Sequence, residues 1–484
     1  MLPNNDRSFK SRTSRRLWLY CMKLINIVLM TAPFAACWYI FYAGGIKNPF
    51  FNKGNWVVVG LFALLYIVFC KLYSGLSIST KRITEAVYSQ TLSAFISNAF
   101  MYIVISLLSS GFVSFPELLL ALVIQFTFSV IWTYIVHRIY FKKLKPMSTI
   151  FVYDMRENID DFVKPYYIDK RFDIKQILHT EECLLDLNIT LKDTDTVFLC
   201  GVHSSERNQI IKHCVRSGIR VYVIPRVGDV LMSGAKPVHM FHIPMMTLKR
   251  YDPSAEYLLV KRVFDIIISC LALIVLSPVM LAVALIIKSD GGTVFYTQKR
   301  LTKDRKEFSI IKFRSMKMDA EKDGVARLSS GDSDERITPI GKVIRKLRID
   351  ELPQLFCVIK GDLSIVGPRP ERPEIAEQYE KEMPEFALRL QAKAGLTGLA
   401  QVYGKYSTTP YDKLLMDLQY IANPSVVSDL KIIFATVKIL FMPESTEGVK
   451  KGRHTAFRDN RFMPGQITVS DISDLGERND KAAI

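Results

Sequence analysis

The chain has 484 residues, room for about three domains, and its 64 Lys and Arg against 47 Asp and Glu leave a net charge of +17. A mean hydropathy of +0.16 beside that charge argues against an ordinary soluble protein and for apolar spans alternating with basic cytoplasmic parts; the charge itself calls for an anionic partner, whether nucleic acid, anionic lipid or a phosphorylated substrate. The eight cysteines form neither a Cys-x-x-Cys pair nor a Cys/His cluster, which argues against a disulfide frame or a zinc site and leaves reduced thiols.

The N-terminus is basic (Arg7, Lys10, Arg12, Arg15, Arg16), and an apolar run of roughly 19 residues follows from Leu24 to Tyr42, long enough to span a bilayer. A cleaved signal peptide is the competing reading. The run is long for one, and three more apolar segments follow: Trp56 to Phe69, Leu92 to Phe112 and Leu118 to Val136. The segment with Lys71, Lys81 and Arg82 is basic, as is the stretch with Arg138, Lys142, Lys143 and Lys145, whereas the turns near Gly44 and Gly111 carry little positive charge. Residues 1–146 therefore read as four transmembrane helices with both ends inside.

From Ser148 the pattern changes. "TIFVYD", "FDIKQIL", "DTVFLCG" and "IRVYVIP" read as strands, alternating with helical stretches such as Ser204 to Ser217. Residues 147–250 are therefore expected to form a small parallel, Rossmann-like α/β domain. The turn after its first strand, "YDMREN", lacks the Gly-x-Gly-x-x-Gly that lets a pyrophosphate approach the backbone, so a structural or regulatory role is favoured over dinucleotide binding. His203, His213, His239 and His242 have no metal-ligand spacing.

A third block opens at Lys261 with an apolar run of roughly 25 residues, Val263 to Ile287, long enough for a transmembrane helix. Ser277-Pro278 lies near its centre, where proline removes a backbone bond. Basic residues also stand at both ends: Lys261 and Arg262 before it, Lys288, Lys299, Arg300, Lys303 and Arg305 after it. A re-entrant helix over 261–288, broken at Ser277-Pro278 and entering and leaving on one face, is expected; a fifth span is the alternative.

Beyond it, "TVFYTQ" and "EFSIIKFRSM" read as paired strands, with Lys312 and Arg314 on one face. Two such cations can grip a phosphate, although a solvated strand edge presents the same pattern. A helix begins near Pro339, with Ile340, Val343, Ile344 and Leu347 forming an apolar stripe and Lys342, Arg345, Lys346 and Arg348 around it. That suits an anionic membrane surface. The helix delivers its cations beside Asp350 and Glu351, where they favour the ionised carboxylate. Arg369, between Pro368 and Pro370, is a guanidinium on a stiffened backbone suited to phosphate oxygens. One carboxylate can attack phosphorus while a neighbour holds Mg²⁺. As a bare dipeptide, the acidic pair could equally cap a helix turn.

From about Lys261 to Gly448 the chain resembles the bacterial sugar transferases, the monotopic polyprenyl-phosphate hexose-1-phosphate transferases of capsule and exopolysaccharide assembly. The resemblance is carried in order by "KRVFDIIISCLALIVLSPV", "KFRSM", "DERITPIGKVIRKLRIDELPQL", "KGDLSIVGPRPE", "GLTGLAQVYGK", "KLLMDLQYI" and "DLKIIFATVKIL". The four spans and α/β middle region look like the large-form members. The resemblance implies an α-rich monotopic catalytic domain over 251–448. It implies Asp350 as nucleophile on the β-phosphate of a UDP-sugar and Glu351, with Asp350, at Mg²⁺. Arg345 and Arg369 would bind phosphates with Lys312 and Arg314 nearby, and Ser277-Pro278 would break the re-entrant helix. UMP would leave, and undecaprenyl phosphate would take glucose or galactose 1-phosphate at the cytoplasmic face of the bacterial inner membrane. A homodimer is a further implication.

Residues 449–484 read as a flexible polar tail. Three other readings stay open: a membrane-anchored scaffold or sensor without catalysis, a processive glycosyltransferase using "DTD" at Asp193 to Asp195 or "DSD" at Asp332 to Asp334, and nucleic-acid binding. The charge follows membrane flanks without an aromatic-studded platform, so no nucleic acid is expected as a partner.

Overall fold

The computed structural model describes residues 6–50, 53–77, 82–109, 111–143, 146–154, 171–240, 242–289, 291–317, 336–404 and 408–440. The polar tail expected over 449–484 and the Asp332 to Asp334 triplet lie outside the described residues.

Four long helices open the chain: α1 (Asp6–Cys37, continued by a π-helical turn Trp38–Tyr42), α2 (Lys53–Leu72), α3 (Ile83–Leu108) and α4 (Pro116–Lys143). All four are long and apolar enough to cross a membrane. α2, expected only over Trp56 to Phe69, extends to 20 residues. α3 begins at Ile83, ahead of its apolar run. Ser89, Ser93 and Ser97 each donate to the carbonyl four residues back, at 2.7, 2.7 and 2.8 Å, which lets an apolar helix carry their hydroxyls. In lipid, apolar contact gives little drive for helices to associate, and buried polar side chains contribute instead. Gln90 Oε1 accepts from Asn26 Nδ2 (3.2 Å) and Ser129 Oγ (2.9 Å), and Tyr66 donates to Asn26 Oδ1 (2.9 Å), linking all four helices.

β1 (Met147–Tyr153), β2 (Phe172–His179), β3 (Thr196–Cys200) and β4 (Arg220–Val223) form a parallel sheet in the order β2-β1-β3-β4. Each matches one of the expected β-branched and aromatic runs. Helix α5 (Ser204–Arg216) buries Ile210 and Cys214 beside Ile150, Val197 and Leu199. Phe151, Phe198 and Tyr222 form a stack with centroid separations of 4.6 and 4.8 Å. Asp195 immediately precedes β3 and accepts from Ser148 N at 3.2 Å. The Asp193 to Asp195 triplet thus sits at a strand's N-terminal end, opposite the carboxyl edge where such sheets bind ligands. Helix α6 (Val227–Ser233) and an antiparallel hairpin, β5 (Lys236–Met240) with β6 (Ile243–Thr247), complete the region.

Helix α7 (Ala255–Ser289) has 35 residues and is the fifth helix apolar and long enough to cross a membrane. The helix-break-helix expected at Ser277-Pro278 is not seen, because α7 is continuous through it. Proline 278 cannot bond the carbonyl of Ile274. Ser277 Oγ donates to that same carbonyl at 2.8 Å, replacing the missing N–H. Ile274 and Val275 are each 70% exposed.

The remaining elements are hairpin β7 (Phe295–Leu301) and β8 (Glu307–Phe313), α8 (Pro339–Lys346), α9 (Gln354–Lys360), β9 (Ser364–Val366), α10 (Pro373–Glu382), β10 (Gly395–Thr397), α11 (Pro410–Ala422) and α12 (Val426–Leu440). β9 and β10 pair in parallel, and Val358, Leu363, Val366, Leu414 and Leu418 share one core. α7 is seated on that core. Arg262 donates to the Val358 and Ile359 carbonyls (both 2.7 Å), and Asp265 accepts from Ser364 Oγ (2.7 Å) and Ile365 N (3.1 Å). α12 runs back to the first four helices, where Phe434 packs edge-on against Phe69 and Tyr73 and Lys438 Nζ donates to Ser89 Oγ (2.8 Å).

Candidate active site

The acidic pair owes its position to the end of α8. That helix starts cleanly: Pro339 takes the first position and Thr338 Oγ1 accepts from Gly341 N at 3.0 Å. Of the expected apolar stripe, Ile344 is buried with Ile287 and Phe313 and Ile340 packs beside them, while Val343 and Leu347 stay exposed. After α8, Arg348 adopts a left-handed conformation, φ 55° and ψ 21°. In a non-glycine residue this costs about 1–2 kcal/mol, and such strain gathers at working sites. The turn swings Ile349–Glu351 into a short 3₁₀ segment that leads into α9.

The two carboxylates then meet different surroundings. Glu351 Oε1 takes Lys312 Nζ at 2.9 Å and Arg369 Nη2 at 3.4 Å, and its Oε2 lies 3.7 Å from Arg348 Nη1. Burial raises its pKa, but Lys312, Arg369 and Arg348 outweigh burial and hold the carboxyl well below the usual range. Asp350 takes no hydrogen bond or ion pair from the described residues. Burial and then the charge of Glu351 push its pKa up to about 6, against the pull of Lys312, Arg345 and Arg348. The surrounding cations therefore do not hold both acids low, as the sequence suggested; they hold Glu351.

Lys312, Arg345 and Arg369 accordingly gather around the pair. Arg314 does not. β8 ends at Phe313, so the strand alternation stops there, and Arg314 Nη2 donates to Ile287 O at 3.2 Å, capping the C-terminal end of α7. Pro368 and Pro370 flank Arg369 in the loop after β9, while Ser277 and Pro278 lie along α7. Behind the loop stand Arg300, Glu371, Arg389 and Asp417, none of them expected at the site from the sequence. Only Asp417 left a signal: it shares the buried face of α11 with Leu414, Leu418 and Ile421, a carboxylate on an apolar stripe.

Among the described residues, no group of three or more His, Cys, Asp and Glu side chains is arranged to hold a metal. Mg²⁺, however, is commonly held by one or two carboxylates with substrate phosphates and water completing its shell. The unpaired Asp350 beside Glu351 is a donor set of that kind.

Residues 256–443 match the family described as bacterial sugar transferase. The chain is 37% identical over 241 residues to a UDP-N-acetylgalactosamine-undecaprenyl-phosphate N-acetylgalactosaminephosphotransferase of Aeromonas hydrophila, covering 49% of this chain and 56% of that protein. It is 39% identical over 228 residues to an undecaprenyl-phosphate glucose phosphotransferase of Komagataeibacter xylinus, covering 45% and 42%. It is 38% identical over 191 residues to the exopolysaccharide production protein ExoY of Sinorhizobium fredii, covering 37% and 83%. The chain thus spans about half the length of the first two relatives and most of the third.

Proposed function

Because the chain belongs to the bacterial sugar transferase family, we propose that it moves a hexose 1-phosphate from a UDP-sugar to undecaprenyl phosphate, the opening step of exopolysaccharide or capsule assembly. The observation that carries this reading is the asymmetry of the acidic pair: Glu351 is tied to Lys312 and Arg369, and Asp350 is open. An oxygen of Asp350 attacks the β-phosphorus. The bond from that phosphorus to the bridging oxygen breaks, and its electron pair leaves on UMP. An oxygen of undecaprenyl phosphate then attacks the same phosphorus and displaces the Asp350 carboxylate, giving undecaprenyl diphosphate sugar. Splitting the transfer into two displacements is the gain of a covalent intermediate. Arg345, Arg369 and Lys312 neutralise the diphosphate and hold it in line. Mg²⁺ held by Glu351 and Asp350 would add charge neutralisation at the diphosphate.

The names of three relatives carry N-acetylgalactosamine, glucose and galactose. Glucose and galactose are the first donors to test here, with the N-acetylhexosamine beside them. α7 is read as re-entrant in the inner membrane, the catalytic region as facing the cytoplasm, and the middle α/β region as Rossmann-like.

The test is UMP release by detergent-purified protein with Mg²⁺, undecaprenyl phosphate and a panel of UDP-sugars. One donor should give sugar-dependent UMP, and Asp350→Asn should lose at least about a thousandfold in rate, as expected for removing a nucleophile. Undiminished release from the variant would remove Asp350 from the reaction.

A further inference from the structure

The Pro368-Arg369-Pro370 loop is gripped by its backbone oxygens. Its two prolines have no N–H to offer, which leaves carbonyls as the main handles. Four successive carbonyls are taken. Pro368 O accepts from Gly395 N (2.9 Å) and Glu371 O from Leu301 N (3.0 Å). Between them, Arg369 O accepts from Arg389 Nη2 (2.9 Å) and Pro370 O from Arg300 Nη1 (3.1 Å). Two backbone amides and two guanidiniums, from three separate stretches of chain, therefore fix one loop.

The guanidiniums are themselves held. Arg389 Nη2 also donates to Asp417 Oδ2 at 2.6 Å. Glu371 lies between the two arginines, 3.4 Å from Arg389 Nη1 and 4.0 Å from Arg300 Nη1. The side chains of Arg389 and Asp417 are 6% and 1% exposed, so they reach no substrate. Such a buried charged cluster carries a desolvation cost that well-packed apolar residues would avoid. What apolar side chains lack is the means to orient a carbonyl. Orientation matters here because the guanidinium carried by this loop stands 3.4 Å from Glu351.

We propose that Arg389, backed by Asp417, and Arg300 are positioning residues for the transfer: they fix the carbonyls of Arg369 and Pro370 and so aim the Arg369 guanidinium at Glu351 and at the diphosphate beside it. The inference rests on the proposed reaction and adds to it residues that act through the Arg369 loop.

Arg389→Lys and Arg300→Lys test it, each alone and combined with Arg369→Ala, in the full-length protein. Lysine keeps the charge but loses the forked donor geometry. The readouts are kcat and KM for UMP release, affinity for UDP by calorimetry, and the melting temperature. Each lysine variant should lose roughly ten- to a hundredfold in kcat, the scale of a misplaced catalytic group, with UDP affinity reduced alongside. In the Arg369→Ala background the same changes should alter kcat and UDP affinity by less than about twofold, because the effect passes through a side chain no longer there. If Arg369→Ala abolishes turnover, UDP affinity decides. Equal losses in both backgrounds, or none in either, overturn the positioning role. A wild-type chain that neither releases UMP nor binds UDP overturns the proposed reaction itself, and this inference with it.

Discussion

Two neighbouring carboxylates are useful when their surroundings separate them. Glu351, under three cations, stays ionised, while Asp350, buried beside that charge, is pushed to about 6. A nucleophilic carboxylate must be deprotonated, so turnover should rise with pH as Asp350 ionises. Asp417 enters the same window: burial pushes it to about 6 although Arg389 opposes the shift, and only its ionised form backs Arg389 fully. Falling pH should therefore quench the proposed nucleophile and loosen the Arg369 loop together. The logarithm of kcat should drop between about pH 7 and 5 more steeply than one protonation allows. A flat profile there, or a one-proton limb near the ordinary aspartate value, would refute this account. Asp350, Glu351, Lys312, Arg345 and Arg369 were legible in the sequence because they fall in short motifs with recognisable chemistry. Arg300, Arg389 and Asp417 were not, since they arrive from β7, the stretch before β10 and α11, and only the fold makes them neighbours.

Among the elements, the smallest pairing is the most demanding. β9 and β10 are three residues each, and they bring "IVGPRP" against "GLTG" so closely that glycine is required. A Cβ on Gly395 would lie 2.1 Å from Gly367 N, one on Gly367 2.3 Å from Lys393 O, and one on Gly398 2.2 Å from Gly367 O. These obstacles are backbone atoms, which cannot swing aside as a side chain can. Gly395→Ala should thus force the strands apart, destabilise the protein by at least the roughly 1–3 kcal/mol of overpacking, and depress UMP release by shifting the Arg369 loop. Gly228→Ala is the matched control: its Cβ meets nothing within 4 Å, and alanine suits the helix better than glycine. Melting curves and activity of the two variants decide the matter; a Gly395→Ala protein indistinguishable from wild type would show the contact to be slack. Pairs this short have no period for sequence to display, and the glycines that permit them look like ordinary turn residues. The four strands of the parallel sheet, by contrast, were plain as runs of branched and aromatic side chains between polar turns.

For the molecule as a whole, the side of the membrane that each end of α7 occupies decides where the site lies. At its N-terminal end Arg262 holds the last carbonyls of α9. Cys357 of α9 in turn donates to Ser309 O in β8 (3.7 Å). At its other end, the Ile287 carbonyl is bonded by Arg314, immediately after β8. Arg262 and Ile287, near the two ends of α7, are thus both held by the core that contains α9 and β8. A hydrocarbon core is about 30 Å thick, so a spanning α7 would require the catalytic core to cross with it. This supports the entry and return on one face proposed for α7. The proposed cytoplasmic side agrees with the docking of α12: it meets α2 at Phe69, the turn after α2 at Tyr73 and α3 at Ser89, beside the basic segment Lys71, Lys81 and Arg82 that the sequence reading places inside. The expected outcome is that cysteines placed at Asp252 and Lys299, whose side chains are 68% and 74% exposed, react alike with a membrane-impermeant maleimide. With exposed Cys21 replaced by serine, both should be protected in intact spheroplasts and modified in inverted vesicles. Modification of one from each side would make α7 a fifth span and place Asp350 across the membrane from its activated donor, which would sink the proposed reaction along with the topology.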